Sequence, residues 1–181
     1  MNDLESGRAV ILYGPPASGK STITKHLERV DTRYCLFPRL KAGGGRVAEY
    51  RITTLDHIKD LQAAGEVVWT NERYGAVYAV DRPHLRHMVE EGSIPVLHVG
   101  QRSAVNAIVA AIPDVQITTV SLMCPRHIAV QRITDRATGD TTERIAAYDA
   151  TEQFKGADLT IDTSVVGLVE AADLIARTVS E

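Results

Sequence analysis

Eight consecutive residues near the amino end, Gly14-Pro15-Pro16-Ala17-Ser18-Gly19-Lys20-Ser21, constrain this chain more than any other part of it. They satisfy G-x-x-x-x-G-K-[ST] at every fixed position. The flanks agree with the motif. Ala9 to Tyr13 is a short apolar run bounded by Arg8 and Gly14, and it reads as a strand buried on both faces. Ser21 to Val30 reads as a helix, with Ile23 and Leu27 spaced for one buried side. A strand, a glycine-bearing loop and a helix, in that order, form a cradle for an anion. Gly14 and Gly19 permit the backbone angles of a tight wrap. The loop amides point inward, and the positive end of the helix adds to them.

The anion this cradle suits is the phosphate tail of ATP. Lys20 is expected to reach the β- and γ-phosphates, and Ser21 to give its hydroxyl to Mg²⁺. Gly14, Pro15, Pro16, Ala17, Ser18, Gly19, Lys20, Ser21 and Thr22 are therefore the expected nucleotide-binding residues. Ser21 is the expected metal ligand.

Beyond the loop, short apolar runs alternate with helical stretches. Strands are expected at Tyr34 to Phe37, Arg46 to Ile52, Val67 to Thr70, Ala76 to Val80, Pro95 to Val99, Val115 to Leu122 and Leu159 to Ile161. Lys41 to Gly45 (KAGGG) reads as a flexible turn. Helices are expected at Thr54 to Ala64, capped by Thr53, and after Asp81, which caps a helix with Pro83 in its first turn. More helices follow at Ser103 to Ala111, Arg126 to Arg136, Thr142 to Lys155 and Val165 to Val179. This alternation implies one three-layer α/β sandwich over residues 1–181, a central parallel sheet with helices on both faces. Residues from about 34 to 80 depart from it, being rich in Gly, Tyr and Arg, and read as an insertion over the site. Residues from about 126 to 155 hold two of these helices, broken at Thr138-Gly139-Asp140, the stretch that a family resemblance given below implies is a lid.

Composition removes several classes. The 181 residues carry a net charge of −3, so no global basic field draws the chain to a nucleic-acid polymer or a membrane. No apolar run approaches a membrane span. Met1 to Arg8 is polar and acidic, unlike a secretory signal. Two cysteines, Cys35 and Cys124, lie far apart without metal-site spacing, which fits a reducing cytoplasm and a monomer or homodimer without staples. Among cations, 15 are Arg and 5 are Lys. Arg is the residue with a planar fork for phosphate. A GTPase would need an N-K-x-D segment, and none is present. A motor ATPase would end a strand in an acid, whereas Val96 to Val99 carries His98 and runs into Gly100.

With these residues in view, the sequence resembles the guanylate kinase family. The resemblance rests on GPPASGKST, on Arg73-Tyr74-Gly75 followed by Val80-Asp81-Arg82, and on Val96-Leu97-His98-Val99-Gly100-Gln101. Its fourth element is Arg126, Arg132, Arg136 and Thr138-Gly139-Asp140, which match the family's lid. It implies a pocket for the acceptor's phosphate made by Arg39, Lys41, Tyr50 and Tyr74, and lid arginines Arg132 and Arg136 acting with Lys20 on the transferring phosphoryl group. Arg144 is a third candidate there. The departures bear on the substrate. Ala76 and Val77 follow Gly75 where the family places a hydroxyl, and the guanine-reading carboxylate position falls near Trp69 or Thr70. The acidic pair of the family's strand is replaced by His98 and Gly100, so Mg²⁺ would rest on Ser21, phosphates and water. The turn Gly100-Gln101-Arg102 is similar to that of ribose 1,5-bisphosphate phosphokinase, a relative with the same fold.

Transfer of the γ-phosphoryl group of ATP to a small phosphorylated acceptor, a nucleoside monophosphate or a sugar phosphate, is the expectation that follows. Two others remain open: a kinase for a metabolite hydroxyl, with Asp81, Glu72 or His98 as base, and a nucleotide-binding interaction module.

Overall fold

The computed structural model describes residues 7–45, 47–73 and 75–181. Tyr74, assigned above to the acceptor pocket, and Arg46, at the head of an expected strand, lie outside the described residues.

β1 (Arg8–Tyr13) leads into α1 (Lys20–Val30), and β2 (Tyr34–Leu36) follows. The next stretch holds β3 (Leu40–Gly43), β4 (Arg51–Ile52), α2 (Leu55–Ala63), β5 (Val67–Arg73) and β6 (Ala76–Asp81). Then come α3 (Arg82–Glu90), β7 (Ile94–Val99), α4 (Arg102–Ala111) and β8 (Gln116–Met123). The chain ends with α5 (Arg126–Asp135), α6 (Thr141–Asp149), β9 (Leu159–Asp162) and α7 (Leu168–Ser180).

Five strands form a parallel sheet in the order β2-β7-β1-β8-β9. β1 lies in its middle, which is why Ala9 to Tyr13 is apolar throughout: both faces are covered. Val10 and Leu12 face α1 and α7, where Ile23, Leu27, Ala171, Ala172 and Ile175 close one core. Ala9, Ile11 and Tyr13 face the other way, into a second core with Leu85, Ala104, Val105 and Ile108. This alternation fixes the register of β1 and holds the loop that leaves its carboxyl end.

The remaining strands build a separate sheet in the order β4-β3-β6-β5. Here the structure differs from the sequence reading. Lys41 to Gly45 is not a turn; Leu40 to Gly43 is a strand paired antiparallel to β6. Leu40 and Ala42 pack on Ile58 and Ala79 beneath α2, and that burial overrides the weak strand tendency of KAGGG. The strand expected up to Ile52 shrinks to two residues. α2 is capped by Thr54, whose hydroxyl accepts from the His57 amide at 3.1 Å. Asp81 gives α3 no side-chain cap, because its carboxylate is bound to Arg51. α6 stops at Asp149, well before Lys155, and Phe154 packs instead on Tyr13.

Candidate functional site

The loop between β1 and α1 folds as its residues dictate. The Gly14 amide donates to the Val99 carbonyl at 3.0 Å, tying the loop to β7. A Cβ on Gly14 would stand 2.4 Å from the Leu122 carbonyl oxygen, so no other residue fits between β1 and β8. Gly19 has φ +97° and sits at the start of α1 without capping it by a side chain. The first amides of α1 are thus left for a ligand. Ala17 also takes a positive φ, 65°, a strained setting characteristic of a constrained functional loop.

Lys20 lies across this cradle. Its Nζ donates to the Gly14 carbonyl at 2.6 Å, the Pro15 carbonyl at 2.8 Å and Ser18 Oγ at 3.2 Å. Burial lowers its pKa to about 7, and Arg39, Arg136 and Arg73 push in the same direction. The repulsion has a geometric meaning. Three guanidiniums from separate segments are felt by one ammonium; Arg39 leads into β3 and Arg73 ends β5.

Strand register arranges that second sheet. Lys41 pairs with Tyr78, and Tyr78 with Asn71, so the three form a row across β3, β6 and β5. They lie on the face opposite α2, since Leu40, Ala42 and Ala79 point to α2. Lys41 is fully buried, though lysine rarely is. Its Nζ stands 5.5 Å from the Tyr50 ring centre and 5.7 Å from that of Tyr78. The Arg39 guanidinium lies 5.8 Å and 5.3 Å from the same two rings, which are themselves 5.2 Å apart. Arg39, Lys41 and Tyr50 are therefore together. Their partner among the described residues is Tyr78, which the sequence reading did not select. Arg73 was likewise not selected as a site residue. Two-residue alternation from Asn71, or from Ala76, was the signal available for both.

The arginines of α5 divide. Arg132 is committed to protein: Nη1 donates to the Ala17 carbonyl at 3.1 Å and to Thr163 Oγ1 at 3.0 Å, and Nη2 to the Thr163 carbonyl at 2.8 Å. It braces the phosphate loop against the segment after β9. Arg136, at the end of α5, is exposed, and its charge reaches Lys20. Arg144 is bound to Asp140 at 2.7 Å, and Arg126 to Asp149 at 2.7 Å.

His98 occupies the middle of the site from below. Thr24 Oγ1 donates its one proton to the Lys20 carbonyl at 2.9 Å, and lies 2.7 Å from His98 Nε2. Nε2 must then be the protonated nitrogen, donating to Thr24. Burial, with Lys20 and Arg39 nearby, drops the His98 pKa to about 3, so the ring is neutral at any physiological pH. As for the metal, no cluster of three or more His, Cys, Asp or Glu able to hold an ion is found among the described residues. Ser21, in the first turn of α1, fits Mg²⁺ only as an ion carried mainly by phosphate oxygens and water.

This architecture defines a class: the chain has the α/β fold of P-loop kinases, a parallel sheet flanked by helices with the phosphate loop after its central strand. No family model matches the chain, and no curated protein matches its sequence. Solved structures do match. Guanylate kinase from Anaplasma phagocytophilum is similar with a TM-score of 0.60 and 17% identity, over 97% of this chain and 85% of that one. APS kinase from Mycobacterium tuberculosis, solved with AMPPNP and APS, is similar with a TM-score of 0.56 and 13% identity, over 97% and 99% of the two chains. Among the described residues, no helix is long and apolar enough to cross a membrane.

Proposed function

We propose that this chain is an ATP-dependent phosphotransferase that moves the γ-phosphoryl group to a small acceptor already carrying a phosphate. One observation supports this above the rest: Lys20 of the phosphate loop, whose pKa is lowered first by burial, also feels Arg39, and Arg39 shares the Tyr50 and Tyr78 rings with the buried Lys41. Two anion sites facing each other are what phosphoryl transfer between two phosphates requires.

In this reading the loop amides and Lys20 hold the β- and γ-phosphates of the donor. Ser21 would hold Mg²⁺, which would supply charge neutralisation there. Arg39 and Lys41 hold the acceptor phosphate, with the Tyr50 and Tyr78 rings fixing both cations. An acceptor oxygen bonds to the γ-phosphorus as the bond from that phosphorus to the β,γ-bridging oxygen breaks, and ADP leaves with the electron pair. Arg136, one of the two lid arginines expected, faces the charge that develops together with Arg73, and the other, Arg132, keeps the loop in shape.

The bases considered for a hydroxyl acceptor are badly placed. Asp81 is bound to Arg51, Glu72 is exposed on a strand position facing away from Tyr78, and His98 is too weak a base. An anionic phosphate oxygen needs no base, which favours a phosphorylated acceptor. ADP release from Mg-ATP, measured with nucleoside monophosphates, sugar phosphates and unphosphorylated metabolites, tests the proposal. Turnover only with unphosphorylated acceptors, or nucleotide binding without any turnover, would overturn it.

A further inference from the structure

Tyr13 ends β1 and is joined directly to Gly14, whose carbonyl accepts from Lys20 Nζ at 2.6 Å. Its ring is buried on the side of the sheet that α4 covers. Its hydroxyl crosses to a segment 139 positions away and donates to the Glu152 carbonyl at 2.7 Å. Burial pushes the pKa of this phenol up, so the proton stays on and the bond is made at any physiological pH. The Phe154 ring stands 5.1 Å from the Tyr13 ring, and the Arg102 guanidinium lies 5.8 Å from the Phe154 ring. One side chain beside the phosphate loop therefore meets the segment after α6 at two points.

That segment is the return path of the α5–α6 pair. The two helices pack on each other, and Arg136, whose charge reaches Lys20, follows the last turn of α5. The base of the pair is clasped: Tyr148 donates to the Cys124 carbonyl at 2.6 Å, and Arg126 to Asp149 at 2.7 Å. At the turn between the helices, Thr138 and Arg144 bond Asp140, two and four residues away, which ties the turn to itself. The return segment has little behind it. A cavity of about 250 Å³ is lined by Ala150 and Glu152, by Gly100, Arg102 and Ser103 of the turn into α4, and by Tyr13. Dense packing holds a segment along its length, whereas beside a cavity the hold falls to single contacts. The same cavity borders the phosphate loop, since a Cβ on Gly100 would stand 3.4 Å from the Gly14 carbonyl oxygen.

We propose that Tyr13 is a positioning residue that couples the phosphate loop to the α5–α6 pair, so that nucleotide binding sets Arg136 over the site. This rests on the phosphotransferase reading above. When a phosphate arrives, Lys20 turns to it from the Gly14 carbonyl, and the end of β1 adjusts with the loop. The Tyr13 hydroxyl carries that adjustment to Glu152, and Phe154 follows the ring. The hydroxyl is the necessary part. Without it the Glu152 carbonyl loses its donor, and the segment is held by ring contact alone.

Hydrogen exchange of the full chain, with and without saturating Mg-ADP, tests this. In the wild type, Mg-ADP should slow exchange of the amides of residues 150–154 by about 10-fold. Tyr13→Phe keeps the ring on Phe154 and removes only the hydroxyl. It should bind Mg-ADP within about 2-fold of the wild-type affinity yet lose most of that slowing. Turnover gives a second readout: kcat should fall roughly 3- to 10-fold, the range of one hydrogen bond, with the KM for ATP unchanged. A merely structural role for Tyr13 would lower Tm and leave the Mg-ADP-dependent slowing intact. Phe154→Leu loosens the same link from its other side, and should show the same loss of slowing if Tyr13→Phe does not fold. Slowing retained in both variants, or wild-type kcat in both, would overturn the inference and leave the phosphotransferase reading standing. Failure of Mg-ADP to bind the wild type would sink that reading, and this inference with it.

Discussion

Nucleotide binding should draw a proton from solution, and Lys20 is the reason. In the ligand-free site its ammonium is buried against carbonyls and repelled by Arg39, Arg136 and Arg73, and its pKa is lowered to about 7. A triphosphate brought to within hydrogen-bond distance reverses the balance, because an adjacent anion favours the charged form. The sign follows directly. Above pH 7 the free protein holds Lys20 mostly neutral and the complex holds it charged, so binding takes up a proton and affinity falls as pH rises. Below pH 7 both states are charged and the dependence vanishes. For a group titrating near 7, uptake amounts to about 0.9 proton at pH 8, about 0.5 at pH 7 and about 0.1 at pH 6. Isothermal calorimetry with Mg-ADP in buffers of different ionisation enthalpy measures this number as a slope. His98, with a pKa of about 3, contributes nothing in this range. Lys20→Arg, charged at every accessible pH, should reduce the slope to zero whatever its affinity. Tight binding at pH 8 with no proton uptake by the wild type would refute the placement of Lys20 on the phosphates.

Three further outcomes follow from the same contacts. Tyr78→Ala removes one ring from between Arg39 and Lys41 and should raise the acceptor KM by about 10-fold while leaving the KM for ATP near its original value; steady-state kinetics with both substrates varied decides this. His98→Leu and Thr24→Val each break the chain from the sheet to the Lys20 carbonyl, so each should cost about 1–3 kcal/mol in urea unfolding, the double variant no more than the worse single one, and His98→Gln should recover most of the loss. Fully additive losses would show that the two side chains do not act through one another. Gly14→Ala drives a methyl group against the Leu122 carbonyl and should abolish nucleotide binding together with a measurable fall in Tm; unchanged binding would mean that the loop can move away from β8.

The phosphate loop was legible because every residue it needs is contiguous and its neighbours carry plain patterns. Ala9 to Tyr13 is apolar at each position, as a central parallel strand must be, and Ile23 and Leu27 mark the buried side of α1. The acceptor face was only partly legible, because it is assembled by pairing. Arg39, Lys41 and Tyr50 are implied only by the family resemblance, and among the described residues they meet Tyr78, set by antiparallel register with Lys41. Lys41 to Gly45 reads as a turn, yet Leu40 to Gly43 is a strand, because its support is the buried underside of α2, which lies elsewhere in sequence. Arg132 shows the same limit. Its position on α5 matched a lid arginine, yet its donors are fixed by Thr163, a residue 31 positions away in the chain. Contacts of that range are decided by topology, and local pattern carries no trace of them.

The neutral His98 takes its sense from the charges around it. Arg39, Arg136 and Arg73 bear on Lys20, and Arg39 shares the Tyr50 and Tyr78 rings with Lys41. Asp81, the buried acid of the second sheet, is bound to Arg51. A carboxylate at position 98 would offset part of that positive field. A neutral imidazole keeps the hydrogen bond to Thr24, and with it the pitch of the first turn of α1, without adding negative charge. The positive charge that Arg39, Arg136 and Arg73 bring to Lys20 is thereby kept, and a bound polyanion would offset it. In the proposed function, a nucleoside triphosphate on the loop and a phosphorylated acceptor on the sheet would offset that charge together. Each one bound lowers the cost of holding the cations for the other, so the two substrates should bind with positive coupling, and ADP with acceptor more tightly than either alone.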